Sequence, residues 1–400
     1  MSKHEKKTSS LLHYPVLVVF SLFFIGLFAL DMVTPDRSYS ELENTTLSQR
    51  PALTQFTAKG LNSYFTAYTK YVKDQVAGRD QWISLQSVVE TTLLQKQQNG
   101  GILLGKEHMM FPRTYGLLSS EERTLPKNTA ALTSLCQRYP GKVNVLLAPA
   151  ASDIYKENVP ANAPLLDEDG YLDQLSAAVQ AAGGSFVDVR PTLSAHKSEY
   201  IYYRTDHHWT SYGAYLGYTE AGKAMKFSAY TADKFSVEHA SDTFRGTLYS
   251  KTLDNSITPD TIDIYALADN EPKVSVNVYK SGAQPDGTYD SMYFREFLNV
   301  KDKYSTFLGQ NVPRIDINSV LPENADNGSL LVIKDSYAHS LIPFLAKNYS
   351  HITVLDLRYI NGDIETLGVN IGDYKNVLFM YNVITFSQDT NVKKLNFIFK

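Results

Sequence analysis

The residues from Arg204 to Tyr215, RTDHHWTSYGAY, place an acid, two adjacent histidines and a tryptophan in four consecutive positions. Side chains two residues apart in an extended backbone point to the same side, so Asp206 and His208 can meet while His207 points away. A carboxylate that binds an imidazole fixes its tautomer, as a general base requires. This segment therefore supplies two members of a nucleophilic triad.

A candidate nucleophile lies in LLVIKDSYAHS. The pattern predicts a buried strand at residues 330–333, a turn through Lys334 and Asp335, and Ser336 in the first turn of a helix. Several hydrolase folds expose a serine between a strand and a helix in this way. Unpaired backbone amides at the start of the helix would also stabilise an oxyanion.

Three simpler interpretations compete with a triad. Ser336, with Asp335 beside it, is also typical of a helix N-cap. Asp206 and His208 could form a buried pair that braces a loop. Two histidines beside an acid could bind a metal, but such sites usually recruit at least three protein ligands, and Cys136 is distant in sequence. The two halves together favour a Ser-His-Asp arrangement, with no metal and no cofactor.

Composition limits the possible functions. The chain has 400 residues, of which 43% are hydrophobic and 20% charged, so a folded globular body is expected. The net charge of -4 argues against nucleic-acid binding, which requires clustered cations. A single cysteine excludes an intramolecular disulfide.

The N-terminus predicts a membrane anchor. Residues 11–30, LLHYPVLVVFSLFFIGLFAL, carry no formal charge and follow three lysines, Lys3, Lys6 and Lys7. A helix of that length rises about 30 Å and can span a bilayer. The positive-inside bias predicts that residues 1–10 form a cytoplasmic tail and that the rest of the chain is extracytoplasmic. A cleaved signal peptide is the alternative, although its apolar core is usually shorter.

Beyond this anchor, residues 31–60 are polar and predict a tether. Residues 61–97 carry apolar side chains at three- and four-residue spacing, which is typical of helices. GILLGKEHMMF, residues 101–111, predicts a hairpin that turns at Gly105 and Lys106.

Strands and helices then alternate. The predicted elements are VNVLLAP (143–149), YLDQLSAAVQAAGG (171–184), SFVDV (185–189), LLVI, SYAHSLIPFLAKNY, ITVLDL, DIETLGVNI and NVLFMYNV. This alternation predicts an α/β fold with a mainly parallel sheet flanked by helices, whose sites form at the carboxyl ends of the strands. Residues from about 230 to 300 do not follow this alternation, and they predict an insertion of short antiparallel strands or loops. We expect residues 61–400 to form one extracytoplasmic domain that contains this insertion.

The chain also resembles a known family at these residues. DHHW at 206–209, with its flanking residues, resembles the signature of the DHHW family, which belongs with SGNH-hydrolase-like proteins of the alginate O-acetyltransferase type. The similarity covers residues 35–400, and further matching blocks are RDQWISLQSVVE (79–90), NGGILLGKEHMMF (99–111), LLAPAASDIY (146–155), FRGTLYSK (244–251), STFLGQN (305–311) and the long block at 330–359.

The resemblance implies an SGNH-hydrolase-like fold in which Ser336 is the nucleophile, His208 the base and Asp206 the residue that orients it. Many SGNH enzymes have Gly-Asp before the serine, where this chain has Lys334 and Asp335. The resemblance also suggests further candidates for oxyanion or substrate binding, which are Asn311, Arg204, His207 and Trp209.

The implied activity is acetyl transfer, through an acyl-serine, to a hydroxyl of a cell-envelope or secreted polysaccharide. Because acetyl donors are cytoplasmic, a membrane-bound multi-span acyltransferase is the implied donor partner. Two alternatives stay open. One is an SGNH-type carbohydrate esterase (a deacetylase), which differs only in the nucleophile that attacks the acyl-enzyme. The other is a non-catalytic polysaccharide-binding or scaffold protein of an export complex, for which 27 Tyr and 19 Phe would provide stacking surfaces.

Overall fold

The structure is a computed structural model that describes residues 14–40, 42–43, 45–56, 60–114, 118–163, 165–360 and 368–398. It divides the chain into two compact units, residues 1–93 and 94–400. The predicted cytoplasmic tail and the first three residues of the predicted membrane span lie outside the described residues. We predicted a domain start at residue 61, whereas the structure groups residues 61–93 with the N-terminal unit.

The N-terminal unit contains one long apolar helix, two shorter helices and a small strand pair. In chain order these are α1 (Pro15–Val33), β1 (Tyr39–Ser40), β2 (Thr45–Thr46), α2 (Leu61–Gln75) and α3 (Arg79–Val88). Among the described residues, α1 is the one helix long and apolar enough to cross a membrane, and none of its residues is buried. The helical pattern predicted for residues 61–97 is divided between α2 and α3 at Gly78, whose φ of 69° is readily adopted by glycine.

The C-terminal unit is an α/β structure. Its strands are β3 (Gln98–Asn99), β4 (Ile102–Leu104), β5 (Met110–Pro112), β6 (Val143–Ala148), β7 (Ser185–Phe186), β8 (Phe235–Phe244), β9 (Asp260–Leu267), β10 (Val274–Tyr279), β11 (Gly287–Tyr289), β12 (Arg314–Ser319), β13 (Ser329–Lys334), β14 (His351–Leu355) and β15 (Asn376–Asn382). Its helices are α4 (Leu118–Arg138), α5 (Ala151–Ile154), α6 (Glu168–Ala181), α7 (Arg190–Ala195), α8 (Ser211–Met225), α9 (Thr247–Thr252), α10 (Ile342–Leu345), α11 (Val383–Gln388) and α12 (Leu395–Ile398).

The central sheet has eight strands in the order β11-β10-β12-β14-β13-β15-β6-β7. The five strands from β14 to β7 are mutually parallel, and β12, β10 and β11 continue the sheet in antiparallel pairs. This architecture confirms the predicted α/β class with a mostly parallel sheet flanked by helices.

Strand β13 lies at the centre of this sheet and carries the candidate nucleophile beyond its end. Leu330 and Val332 pack in the core on one face, while Leu331 and Ile333 pack in the core on the other. A strand covered on both faces needs a continuous apolar run rather than an alternating one. This requirement explains the sequence LLVI.

The predicted insertion contains two different structures. Strands β8 and β9 form a separate antiparallel ribbon, as the sequence indicated. Strands β10 and β11 instead extend the central sheet, because β10 pairs along its whole length with β12. The hairpin predicted at Gly105 is confirmed by the antiparallel pairing of β4 with β5. Residues 361–367, which include the first five of the nine residues of the predicted segment DIETLGVNI (363–371), lie outside the described residues.

Candidate active site

Ser336 follows β13 at the start of a 3₁₀ turn, Ser336–Ser340, rather than in the α-helix that the sequence predicted. An α-helix could not run unbroken through this region, because Pro343 has no N–H to donate to the carbonyl of His339. The cap of the turn is Asp335, whose Oδ1 accepts a hydrogen bond from the Tyr337 amide at 3.0 Å. Ser336 is therefore not the capping residue, and its hydroxyl is available for another partner.

That partner is His208. The distance from His208 Nε2 to Ser336 Oγ is 2.8 Å, and His208 Nδ1 lies 2.5 Å from Asp206 Oδ1. The other carboxylate oxygen of Asp206 accepts hydrogen bonds from the amide of Thr247 at 2.7 Å and from its hydroxyl at 3.0 Å. The structure thus brings Asp206, His208 and Ser336 into the hydrogen-bonded order of a Ser-His-Asp triad.

Trp209 joins the DHHW segment to the serine turn. Its indole Nε1 donates to the Tyr337 carbonyl at 3.1 Å and to Ser340 Oγ at 3.0 Å. The side chain is 0% exposed, which leaves its ring no surface for a substrate. Gly217 on α8 is packed beneath it, since a Cβ at that position would lie 2.8 Å from the indole. Trp209 therefore fixes the position of His208 relative to Ser336.

Tyr304 supports the imidazole of His208 from its face. Its ring stacks on His208 with a centroid distance of 3.7 Å and an interplanar angle of 9°. Its hydroxyl donates to the Ser336 carbonyl at 3.0 Å. Tyr304 and Thr247 were not predicted from the sequence as partners of the triad. Their positions could have indicated such a role, because Thr247 lies within the family-like block FRGTLYSK and Tyr304 directly precedes the block STFLGQN.

The charge state of Asp206 suits an orienting carboxylate. Burial alone would raise its pKa, but His207, His208 and the hydrogen bonds to the carboxylate outweigh burial and hold the pKa well below its usual range. Asp206 is therefore ionised at neutral pH and stabilises positive charge on His208. Burial and the neighbouring His208 also lower the pKa of His207.

His207 has a different set of contacts. Its Nδ1 lies 2.8 Å from Thr247 Oγ1, and its carbonyl accepts a hydrogen bond from the Tyr337 hydroxyl. One ligand atom each from Asp206, His207 and His208 lies within 4.8 Å of the others, as a metal site would require. However, both ring nitrogens of His208 and both oxygens of Asp206 already have hydrogen-bond partners. This donor set fits a proton relay better than a metal site.

Asn311 belongs to a buried polar network next to the serine turn. Its Oδ1 accepts from Lys334 Nζ at 2.7 Å and faces Arg358 Nη2 at 3.4 Å. Lys334 Nζ also lies 2.6 Å from His339 Nε2 and 3.1 Å from Asp356 Oδ2. Because two cations face its carbonyl oxygen, the Asn311 amide nitrogen must point away from them and can donate elsewhere.

The ionisation of this network follows from burial and pairing. Burial lowers the pKa of Lys334, and the Asp356 carboxylate opposes that shift. Burial would raise the pKa of Asp356, but Lys334 and Arg358 bring it to about 2. Burial and the charge of Lys334 lower the pKa of His339 well below its usual range. His339 is therefore neutral, accepts from Lys334 at Nε2 and donates from Nδ1 to a backbone carbonyl.

The surroundings of Asn311 and Arg204 differ. Asn311 lines a cavity of about 420 Å³ whose wall includes Tyr289 and Tyr359. The guanidinium of Arg204 lies over the ring of Tyr200 at 5.0 Å, and its backbone carbonyl accepts from the amide of Met110. Arg204 thus helps to hold the DHHW segment in place through contacts outside the triad.

Comparison with known proteins identifies a family and a relative that this chain resembles. A family model described as "DHHW protein" matches residues 129–355. Among curated proteins, the chain is 25% identical over 130 residues to "Probable alginate O-acetylase AlgJ" of Pseudomonas syringae pv. tomato, a match that covers 31% of this chain and 33% of that protein. The matched stretch therefore spans about a third of that relative.

Two solved structures are similar in fold to this chain. A DHHW family protein from Eubacterium siraeum has a TM-score of 0.58 at 20% identity, covering 76% of this chain and 97% of that one. PatB1 of Bacillus cereus has a TM-score of 0.54 at 20% identity, covering 72% of this chain and 98% of that one. At this level of identity the two structures support the fold.

Proposed function

Since this chain belongs to the DHHW family, we propose that it is an extracytoplasmic serine O-acetyltransferase that modifies hydroxyl groups of a cell-envelope or secreted polysaccharide. The observation that carries the proposal is the continuous hydrogen-bonded series from Asp206 through His208 to Ser336, with links of 2.5 and 2.8 Å. The match to a protein named as an alginate O-acetylase supports acetyl transfer as the reaction class.

The first half-reaction forms the acyl-serine. Ser336 Oγ attacks the acetyl carbonyl of the donor while its proton moves to His208 Nε2, and Asp206 stabilises the resulting imidazolium. Among the described residues, the Ser336 N–H has no acceptor and so can donate to the oxyanion. The amide nitrogen of Asn311 is the second candidate donor. As the intermediate collapses, the donor's leaving oxygen takes the proton from His208.

The second half-reaction returns the enzyme to its starting state. A hydroxyl of the polysaccharide attacks the acyl carbon and loses its proton to His208 Nε2. The ester bond to Ser336 then breaks, and His208 returns the proton to Ser336 Oγ. Attack by water instead would make the same site an esterase.

The location follows from α1. We propose that this helix is a single-pass anchor with its N-terminus in the cytoplasm, because three lysines precede it in the sequence. The acyl-serine would then form outside the membrane, away from cytoplasmic acetyl donors. A membrane-bound multi-span acyltransferase is the proposed partner that supplies acetyl groups to Ser336.

The proposal is tested by labelling the full chain with p-nitrophenyl acetate and measuring its intact mass. We expect a gain of one acetyl group that maps to Ser336. The acetyl label should be absent in Ser336→Ala. It should be unchanged in Ser236→Ala, which removes an exposed hydroxyl on β8. Because residues of a triad act as a unit, Ser336→Ala, His208→Ala and the double variant should have similar residual rates.

The fate of the label then separates the possible activities. Faster loss of acetyl in the presence of an oligosaccharide, with acetyl found on that oligosaccharide, supports transfer. Loss at the same rate in water alone supports a carbohydrate esterase. Absence of label at Ser336 would leave a polysaccharide-binding or scaffold protein as the better explanation.

A further inference from the structure

Two cations near the triad lack an anionic partner, although the Arg245 side chain also hydrogen-bonds to Tyr249. The Nη1 atom of Arg245 is buried and has no hydrogen-bond partner in the part of the chain that the structure describes. Lys301 is also partly buried, and neither residue forms a salt bridge with a described carboxylate. Buried charges are usually paired, because an unpaired one loses its hydration without compensation. This pair therefore calls for a partner of opposite charge.

The two cations converge on one aromatic ring. Arg245 Cζ lies 4.6 Å, and Lys301 Nζ 4.4 Å, from the ring centroid of Tyr249 on α9. The ring attracts both cations but carries no net charge. Burial lowers the pKa of Lys301 to about 8, and the nearby positive charge of Arg245 contributes to the shift. An anion close to both cations would offset this repulsion.

The nearby carboxylates are occupied by other groups. Asp206 accepts four hydrogen bonds, two from His208 and two from Thr247. Asp302, which follows Lys301, accepts from Ser305 Oγ at 2.6 Å. Asp254 accepts from the amide and the hydroxyl of Ser256, at 3.0 and 2.6 Å. None of the three forms a salt bridge with either cation among the described residues.

The cation pair belongs to the segments that support the triad. Arg245 precedes Gly246, which packs so closely on Asp206 that an added Cβ would lie 2.2 Å from Oδ2. Lys301 lies close enough to Asp206 for that carboxylate to oppose the fall of its pKa. Three residues after Lys301, Tyr304 stacks on His208. A ligand held by these cations would therefore lie beside the segments that hold Asp206 and His208.

We infer that Arg245 and Lys301 form an anion-binding subsite for the acceptor polymer, which holds a carboxylate or phosphate close to the hydroxyl that receives the acyl group. The inference rests on the proposed function for the identity of the acceptor. Exposed Lys251 on α9 adds a third positive charge, which acts on His207 and extends the cationic surface outward. A carboxylate or phosphate can accept charge-assisted hydrogen bonds from the guanidinium and the ammonium together.

The subsite is tested by isothermal titration of the full chain in detergent micelles. The probes are a glucuronate-containing oligosaccharide, the same oligosaccharide after reduction of its carboxyl groups, and an oligomer of glycerol phosphate. We expect at least one anionic probe to bind about tenfold or more tightly than the reduced one. Inorganic phosphate should compete with the anionic probe and leave binding of the reduced one unchanged.

Variants locate the site. Arg245→Gln and Lys301→Gln should each abolish most of the preference for the anionic probe, whereas Arg245→Lys, which keeps the charge, should retain part of it. Lys223→Gln is the matched control, because Lys223 is exposed and paired with Glu220 on α8. If a glutamine variant does not fold, as judged by thermal unfolding, the phosphate competition and Arg245→Lys still decide the question.

Each result has a defined meaning. Preference for the carboxylated probe identifies a uronate, and preference for glycerol phosphate identifies a phosphodiester polymer. Equal affinity of the wild type for the charged and reduced probes would overturn the subsite, and so would a preference that survives in both glutamine variants. Because binding is measured without turnover, failure of the acyl-labelling experiment would refute the proposed activity and leave this result standing.

Discussion

Replacement of Lys334 by methionine tests whether the buried network positions Asn311 for catalysis. Methionine keeps most of the length of the side chain and removes the ammonium that binds Asn311 Oδ1 at 2.7 Å. The carbonyl oxygen of Asn311 then retains only the 3.4 Å approach of Arg358. We expect the amide to lose its fixed orientation, so that Nδ2 no longer reliably faces the oxyanion.

The expected losses of stability and of acylation rate depend on the contacts that remain after Lys334→Met. Asp356 keeps two hydrogen bonds from Arg358, at 2.9 and 2.7 Å, so Lys334→Met does not leave an unpaired buried carboxylate. The loss of stability should therefore be about 2–3 kcal/mol, below the 3–5 kcal/mol typical of a stranded buried charge. Complete loss of an oxyanion donor costs about 10²–10³ in rate, so partial misorientation of Asn311 should cost about ten- to a hundredfold.

The assay is a double-mutant cycle on the rate of Ser336 acylation by p-nitrophenyl acetate. Asn311→Ala should lower the rate by about 10²–10³, and adding Lys334→Met should lower it little further, because both changes remove the same donor. Lys347→Met is the matched control, since Lys347 is also a buried lysine with one carboxylate partner, Glu271. That variant should lose stability and keep the wild-type acylation rate.

Additive losses in the cycle would refute the reasoning, since they would mean that Lys334 and Asn311 act through different routes. A wild-type rate in Lys334→Met would do the same, provided that the variant is folded. A comparable fall in rate in Lys347→Met would show that the effect reflects general destabilisation and not the orientation of one amide.

Three further outcomes are expected. Gly246→Ala would place a Cβ 2.2 Å from Asp206 Oδ2, so acylation should fall at least a hundredfold in a protein that remains folded by circular dichroism. Burial raises the pKa of Glu168 from 4.5 to about 8, although the Ala150 amide donates a hydrogen bond to its carboxylate. The folded protein is therefore most stable with respect to this group below pH 4.5, and it loses that stability as the pH rises toward 8. Glu168→Gln should therefore gain on the order of 4 kcal/mol over wild type across that window, and parallel unfolding profiles would contradict this. Protease added to intact cells after wall removal should digest residues 35–400, and their full protection would disprove the proposed topology.

Much of the fold could be predicted from the sequence because its strands have a distinctive composition. A strand covered on both faces needs a nearly continuous apolar run. LLVI shows this pattern, and the strand in VNVLLAP departs from it only at Asn144. The position of β10 was harder to predict, since a strand that extends a sheet and a strand of an inserted ribbon share the same local pattern. Its place in the sheet depends on pairing with β12, which lies more than thirty residues away.

The site was predictable where its geometry is local. Two-residue spacing brings Asp206 and His208 together, and an apolar strand followed by a turn presents Ser336. The supporting groups come from distant segments, and spacing alone does not reveal them. Tyr304 stacks on His208 across 96 residues of chain (304 − 208), and Thr247 binds Asp206 across 41. The sequence also does not tell which residue caps the turn, because Asp335 and Ser336 are both common N-cap residues.

The choice between acetyl transfer and hydrolysis depends on how the second nucleophile reaches His208. His208 is only 5% exposed, yet water needs no binding site to reach the acyl-serine and is present at a high concentration. A sugar hydroxyl competes only if binding holds it in place, which for well-oriented reactants is equivalent to a very high local concentration. An anion held by Arg245 and Lys301 would provide this binding next to the triad. Loss of those charges should therefore shift the fate of the acyl group from the acceptor toward water, without requiring any change in Asp206, His208 or Ser336.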